Sequence, residues 1–102
     1  MKVNFNQNFK NWEGEDLLVD GKPQPMGKII AQTLFNGEGI KKSDDPLKDG
    51  ERKLMAYSVC MRIAGTTDPV EITVEEGALI KEAMSYLTPG CYAQVVNLIE
   101  GK

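Results

Sequence analysis

The sequence predicts a small α+β domain in which a short N-terminal β-hairpin, with a third short strand near residues 70–73, packs on about four helices. Two patterns support this fold class. Apolar and polar residues alternate near the N-terminus and again at residues 70–73, which is typical of half-buried strands. After Pro25, apolar residues instead recur at spacings of three and four, which is the pattern of amphipathic helices.

The composition fits a single globular domain over residues 1–102. The chain has 102 residues, of which 41% are hydrophobic and 26% charged, and its formal net charge is -3. A domain of this size can bury a core without disulfides or metal. The sequence has no apolar run of about 18 residues and no apolar stretch typical of a signal peptide. We therefore expect a soluble, cytoplasmic protein with no membrane partner.

The hairpin is predicted from two N-terminal segments, residues 2–6 and 16–20. In the first segment, Val3 and Phe5 alternate with polar residues, and the second ends at the turn sequence Asp-Gly-Lys-Pro of residues 20–23. We expect these two segments to be the paired arms of the hairpin.

The helices are predicted from apolar spacing together with capping residues. Asp44 or Asp45 can cap the second helix, and Pro46 suits its first turn. Thr73 and Glu76 have the spacing of a capping box at the start of the third helix. The four predicted helices cover approximately residues 26–36, 46–63, 74–87 and 89–100.

The second predicted helix has two apolar arcs instead of one. One arc contains Leu47, Leu54, Tyr57 and Met61, and the other contains Met55, Val59 and Ile63. Because a helix that is apolar on two faces needs cover on both, we expect it to be the central and most buried helix.

The residues that most often perform catalysis or bind metal are missing or badly placed. The chain has no histidine, the commonest general base and zinc ligand. A calcium loop starting at Asp45 would place Leu47 and Ala56 where oxygen ligands are needed, so helix capping explains its acidic residues. The Gly-Glu-Gly of residues 37–39 lacks the context of a nucleotide-binding loop. We expect no enzyme activity, no cofactor and no metal site.

The cysteines and charges argue against further classes of function. Cys60 and Cys91 stand far apart with no histidine partner, and we expect both to be reduced. Residues 66–102 carry six acidic and two basic side chains, and the basic residues of 37–65 are interleaved with acidic ones. This distribution does not favour nucleic acid binding, which relies on neutralising phosphates.

Two exposed-type aromatics are the candidate partner contacts. Trp12 lies in a polar, glycine-bearing stretch, where it can anchor a partner or, as we favour, close over the sheet. Phe35 lies on the side of its helix opposite Met26, where it can cover the following loop or make an oligomer contact.

The order of motifs supplies a family resemblance. The motifs are an Asp-Gly-Lys-Pro turn, a helix with Met-Gly-Lys-Ile-Ile-Ala-Gln-Thr-Leu, a helix ending in Met-Arg-Ile, the segment Val-Glu-Ile-Thr-Val-Glu-Glu, and a Tyr-bearing helix ending in Asn-Leu-Ile-Glu. This layout resembles small, mostly uncharacterised proteins of tailed bacteriophages and prophages. The resemblance implies a phage setting, in the cytoplasm of a bacterial or infected host cell, and assigns no site residue.

Together these observations predict a non-enzymatic, phage-type protein that binds another protein, of the host or of the virion, as an assembly accessory or a modulator of a host factor. A homodimer is compatible with such a small helical domain. The alternative is a small nucleic-acid-binding regulator that uses the last two helices, with Gln94, Asn97 and Lys102 as its polar residues. A small enzyme or metal protein is a third hypothesis.

Overall fold

The computed structural model describes all 102 residues, and its fold is α+β with two small antiparallel strand pairs and four helices. The predicted fold class is confirmed. The strands are β1 (Lys2–Val3), β2 (Leu18–Val19), β3 (Lys22–Pro23) and β4 (Val70–Glu71). The helices are α1 (Met26–Asn36), α2 (Pro46–Ala64), α3 (Val74–Ala83) and α4 (Pro89–Glu100), with a 3₁₀ turn at Met84–Tyr86 between the last two.

The partners of the first strand differ from the sequence-based expectation. β1 pairs with β4, with Val3 opposite Val70, and not with the second segment. The hairpin is instead formed by β2 and β3 around Asp20 and Gly21, both of which have positive φ. Two consecutive residues with positive φ form the tight turn that suits the twist of a two-residue hairpin loop. Asp20 and Gly21 thus form the turn of the hairpin. We had expected them to follow the end of its second arm.

The helix boundaries agree with the capping residues. Asp45 caps α2 by accepting hydrogen bonds from the Leu47 and Lys48 N–H groups. Thr73 and Glu76 form the predicted capping box of α3. α1 and α4 both end at a glycine in the left-handed conformation, which a residue without a Cβ adopts at little cost.

The core lies between the strands and one side of each helix. α1 packs most extensively against α2, and α3 covers the neighbouring side of α2. Among the largest fully buried side chains are Phe9, Met26, Ile30, Leu34, Ile72, Ile80, Met84, Val59 and Val95. The molecule measures 43 × 25 × 23 Å.

The second helix is not the most buried element. Its buried residues are Ala56, Val59, Cys60 and Ile63, and Met55 is partly buried against the core, which confirms the predicted arc of Met55, Val59 and Ile63. The other arc, Leu47, Leu54, Tyr57 and Met61, is exposed, so the expectation that both arcs are covered is wrong. The reason is packing geometry, because α1 and α3 lie on the same side of α2 and no further element of the chain crosses its outer side.

The loop between α1 and α2 approaches the body of the protein most closely at Gly39. Gly39 has a φ of 75°, and a Cβ at this position would lie 2.4 Å from the carbonyl oxygen of Ala83. The loop is also hydrogen-bonded to α3, because the Lys41 N–H donates to the Glu82 carboxylate at 2.9 Å. Close backbone approach therefore explains the second glycine of Gly-Glu-Gly, without a phosphate ligand.

Candidate functional site

Trp12 projects into solvent instead of closing over the sheet. Its exposed fraction is 93%, the highest among the large hydrophobic residues of the chain. The favoured sequence-based interpretation, in which the indole joins the core, is wrong. Phe5 and Phe9 take that place, and both are fully buried. The core is thus complete without the largest side chain of the protein.

The loop that carries Trp12 is closed by hydrogen bonds of Asn11. The Asn11 Oδ1 accepts from the N–H groups of Glu13 and Glu15 at 2.9 and 3.1 Å. The Asn11 N–H donates to the Glu15 carbonyl at 2.7 Å, and the Gly14 N–H donates to the Asn11 carbonyl at 3.0 Å. Such local side-chain to backbone bonds fix a turn without regular secondary structure.

The base of this loop is joined to α4 and to the opposite side of the loop. The Gln94 side chain accepts from the Lys10 N–H and donates to the Lys10 carbonyl, each at 2.8 Å. The Lys10 ammonium pairs with Asp16 at 2.5 Å, and this hydrogen bond, with one from Asn8, lowers the pKa of the Asp16 carboxyl. The protein therefore presents Trp12 from a loop with bonds at its tip and at its base.

Phe35 is also exposed, and it lies beside the uncovered arc of α2. Its exposed fraction is 63%, and its ring centroid is 6.3 Å from that of Tyr57 at an angle of 46°. The sequence left open whether Phe35 covers the following loop or makes an oligomer contact, and in the structure its ring is mostly exposed. Phe35 joins Leu47, Leu54, Tyr57 and Met61 in one exposed apolar strip, which we call the α2 strip.

Trp12 and the α2 strip are not the only exposed apolar residues. Leu18 and Val19 of the hairpin are half exposed, and Val74 at the start of α3 is 75% exposed. Tyr86 is exposed as well, but its hydroxyl is 2.9 Å from the Thr33 Oγ1, which gives it a role in joining the 3₁₀ turn to α1. Scattered single residues of this kind are common on protein surfaces.

The polar residues named for a nucleic-acid-binding helix are mostly engaged within the protein. Gln94 is bonded to Lys10, as described above, and Lys102 pairs with Glu100 at 3.3 Å. Glu100 also pairs with Lys81 at 2.7 Å, which joins α4 to α3. Asn97 is exposed.

The acidic residues of the last third are largely ion-paired. Glu76 pairs with Arg62, Glu82 with Arg52 and Glu100 with Lys81, while Glu71 pairs with the N-terminal ammonium. Four of the six acidic groups counted in the sequence are thus neutralised by a neighbour. The free acidic surface is smaller than the sequence indicates, because the tertiary fold brings the basic residues of α2 against α3.

Two of these ion pairs lower carboxyl pKa values. The hydrogen bond from the Arg62 guanidinium holds the pKa of Glu76 below its ordinary value of 4.5, helped by the capping-box bond from Thr73. Burial alone would raise the pKa of Glu82, but hydrogen bonds from the Lys41 N–H and the Arg52 guanidinium together lower it. Both carboxylates are therefore stabilised as charged groups at neutral pH.

The remaining candidate groups have structural contacts. Asp49 accepts from the Ser43 N–H and hydroxyl, which lowers the pKa of its carboxyl. Cys60 and Cys91 are not joined, and burial raises the pKa of the Cys60 thiol. No three histidine, cysteine, aspartate or glutamate side chains are grouped closely enough to hold a metal ion. No helix is both long and apolar enough to cross a membrane.

A cleft that the sequence did not indicate lies between the segment after β1 and the facing ends of α1 and α2. Its volume is about 480 Å³. Polar side chains at its edge include Asn6, Lys28 and Asp68, and its floor includes Phe5 and Ile63. No regular spacing along the chain marks these residues, because the cleft is formed by three separate segments.

Comparison with known proteins adds no relative. The chain matches no protein-family model, no curated protein and no solved structure.

Proposed function

We propose that this protein is a non-enzymatic, phage-type protein that binds another protein, with Trp12 as the central contact. The observation that carries the proposal is an almost fully exposed tryptophan on a loop closed by hydrogen bonds. An exposed indole of this kind has a hydration cost that burial in a partner removes. Tryptophan is also among the residues that contribute most to binding at protein interfaces.

The closed loop supports binding for an entropic reason. A flexible loop loses conformational freedom when a partner immobilises it, and that loss reduces the affinity. Here the Asn11 bonds at the tip and the Gln94 and Asp16 bonds at the base already restrict the loop in the free protein. The loop has therefore already lost most of its conformational freedom when the protein folds, and binding a partner removes little more.

The charges near Trp12 indicate the kind of partner. Lys10 and Asp16 neutralise each other, which leaves Glu13 and Glu15 as the charged groups flanking the indole. The net charge of the whole chain is also negative, at -3. We expect the partner to offer an apolar pocket for the indole with basic side chains at its rim, because complementary charge favours encounter and orientation.

The biological setting follows from the resemblance to small proteins of tailed bacteriophages and prophages. In that setting the partner is a protein of the host or of the virion, and the role is that of an assembly accessory or of a modulator of a host factor. The place of action is the cytoplasm of the bacterial or infected cell.

The proposal is tested by comparing two truncations of exposed apolar side chains. Immobilised wild-type protein, Trp12→Ala and Val74→Ala are incubated with lysate of infected bacteria, and the retained proteins are quantified by mass spectrometry. Val74 is a matched control, since it is 75% exposed and lies on α3. We expect one dominant protein whose recovery falls at least tenfold with Trp12→Ala and is unchanged with Val74→Ala.

The contact is then measured with the purified partner. Trp12 is the single tryptophan of the chain, so a partner without tryptophan allows its fluorescence to report directly on burial. A blue shift of the emission on binding is expected, because the indole leaves water. Equal recovery by wild type and Trp12→Ala, or an emission that does not shift on binding, would contradict the proposed role of Trp12.

A further inference from the structure

The α2 strip is a second apolar surface, separate from the Trp12 loop. Leu47 and Leu54 are 81% and 72% exposed, and Met61 and Tyr57 are about half exposed. On the α-helix these residues lie opposite the buried face formed by Ala56, Val59, Cys60 and Ile63. The strip therefore points directly away from the core, where another molecule can reach it along its whole length.

The spacing within the strip indicates that its partner is a helix. Leu47, Leu54 and Met61 follow one another at intervals of seven residues, and Tyr57 lies three residues after Leu54. An apolar repeat of 3.5 residues is what one helix needs to pack lengthwise against another. Gly50 occupies the position seven residues before Tyr57, so the strip has one gap on an otherwise filled surface.

We infer that the α2 strip binds the α2 strip of a second copy of this chain, with the two helices antiparallel about Leu54. In this arrangement Leu54 meets its own equivalent, and Leu47 of one copy meets Met61 of the other. Gly50 then lies within one residue, about 1.5 Å, of the level of Tyr57 of the second copy, so that ring can enter the gap. A surface in which large residues oppose the small one under two-fold symmetry is self-complementary, as an isologous dimer requires.

A parallel arrangement fits the same strip less well. It would place Gly50 against Gly50 and Tyr57 against Tyr57, which leaves a void at one level and crowds two rings at another. Voids remove packing contacts and crowding forces strained side chains, so both are unfavourable. The antiparallel register avoids both, because it pairs the largest residue of the strip with the smallest.

The charges of α2 permit this contact. The guanidinium groups of Arg52 and Arg62 are turned toward α3, where they pair with Glu82 and Glu76. The exposed charged residues nearest the strip, Glu51 and Lys53, lie along its two edges, on either side of Leu54. Depletion of charge at the centre is characteristic of protein interfaces. Phe35 widens the strip beside Tyr57, on the side of α1.

The size of the strip sets the expected strength of the dimer. From Leu47 to Met61 the strip is about 21 Å long, at 1.5 Å per residue. The strip consists of four residues of α2 and Phe35, far fewer than the roughly 20–30 residues per side of a standard stable interface. We therefore expect a reversible dimer with a dissociation constant in the micromolar range.

Sedimentation velocity over a range of protein concentrations tests the inference. The mass of the wild type is expected to rise from 11.3 kDa toward twice that value between about 1 µM and about 1 mM. Leu54→Glu places two like charges together at the two-fold axis, and it is expected to weaken the dimer at least tenfold. Val74→Glu is the matched control outside the strip and is expected to leave the dimer unchanged.

Cross-linking determines the register. Leu47→Cys and Met61→Cys proteins, each with Cys91→Ser, are mixed and treated with a short bis-maleimide, while the native Cys60 is buried and protected. The antiparallel dimer gives a cross-link between the two different variants. The Leu47→Cys protein alone gives none, because its two thiols are then about 21 Å apart.

Three results would overturn the inference. The first is a wild-type mass that stays at 11.3 kDa throughout the concentration range. The second is a dimer that Leu54→Glu leaves intact, and the third is efficient cross-linking of Leu47→Cys protein with itself. Circular dichroism of each variant confirms that the fold is retained, which the high exposure of Leu47 and Leu54 leads us to expect. None of these outcomes depends on Trp12, so the two proposals fail independently.

Discussion

The two apolar faces of α2 have similar composition and opposite environments. One face places Val59 and Ile63 in the core with almost no exposed surface, while the other leaves Leu47 and Leu54 mostly in solvent. Hydrophobic residues on a helix therefore indicate a surface that is more stable when covered. They do not indicate which element or molecule covers it. For the inner face the cover is α1 and α3, and for the outer face we propose a second copy of the chain.

The edge between the two faces is marked by ion pairs. Arg52 and Arg62 lie where α2 meets α3 and pair with Glu82 and Glu76. Arg62 also donates to the Glu71 carbonyl of β4 at 2.8 Å, so one side chain joins α2, α3 and the strand pair. These contacts join α2 to α3 beside the buried face, and the following predictions test the two faces and this edge.

The largest effect is expected on the buried face. Ile63→Ala removes a side chain that is almost fully buried and leaves a cavity, so it should lower the free energy of unfolding by about 3 kcal/mol. Met61→Ala, two residues away on the exposed face, should cost less than about 1 kcal/mol. Urea denaturation of both variants at low protein concentration provides the comparison. Equal losses would show that the two faces do not differ as described.

The next effect is expected at the edge. Glu76→Gln keeps the size of the side chain and an oxygen that can accept from the Thr73 N–H, but it removes the charge that pairs with Arg62. We expect a loss of about 1–2 kcal/mol in the free energy of unfolding. Glu75→Gln, on the same helical turn but exposed, is the control and should cost only a few tenths. Indistinguishable losses would remove the special role of the Arg62 pair.

Acid should act on the same edge. The pKa values of Glu76 and Glu82 are lower in the folded protein than their ordinary value of 4.5. Both groups therefore contribute stability above that value, and the contribution is lost as the pH falls through their lowered pKa values. Wild-type stability should decline between about pH 5 and pH 3, and the decline should be shallower for Glu76→Gln. Parallel curves for the two proteins would argue against the assignment.

The smallest effect is expected on the exposed face of the monomer. Leu54→Ala should change the free energy of unfolding by no more than about 0.5 kcal/mol at 1 µM protein, because its side chain is 72% exposed and alanine suits a helix. At high concentration the same substitution should become destabilising, since the dimer then contributes to wild-type stability. A loss of several kcal/mol at 1 µM would mean that Leu54 belongs to the core.

Local signals predicted most of the helical fold. Asp45, the Thr73 and Glu76 pair, and the glycines after α1 and α4 all act within one helical turn, so sequence spacing was enough to find them. The pairing of β1 with β4 was missed because its two strands are far apart in the chain and only two residues long each. No local turn sequence predicts a pairing between strands that are so far apart in the chain.

The candidate site was only partly predictable. Trp12 and Phe35 were selected from the sequence as candidate contacts, but the sequence did not show that the core would bury Phe5 and Phe9 and leave Trp12 in solvent. The seven-residue spacing of Leu47, Leu54 and Met61 was visible in the sequence, and its exposure was not. The acidic last third was likewise visible, while its pairing with the basic residues of α2 was not.

The sequence by itself determined where the helices begin, that the domain has an apolar core, and that no histidine is present, while the third helix, expected to reach residue 87, ends at Ala83 and continues as a 3₁₀ turn. Those properties depend on short-range geometry and on composition. Only the tertiary structure decided which face of α2 is covered, which strands pair and which side chains remain in solvent. The reason is that a side chain becomes buried only when another segment packs against it. A hydrophobic face gains stability from any partner of the right shape, and within this chain only the inner face of α2 has such a partner.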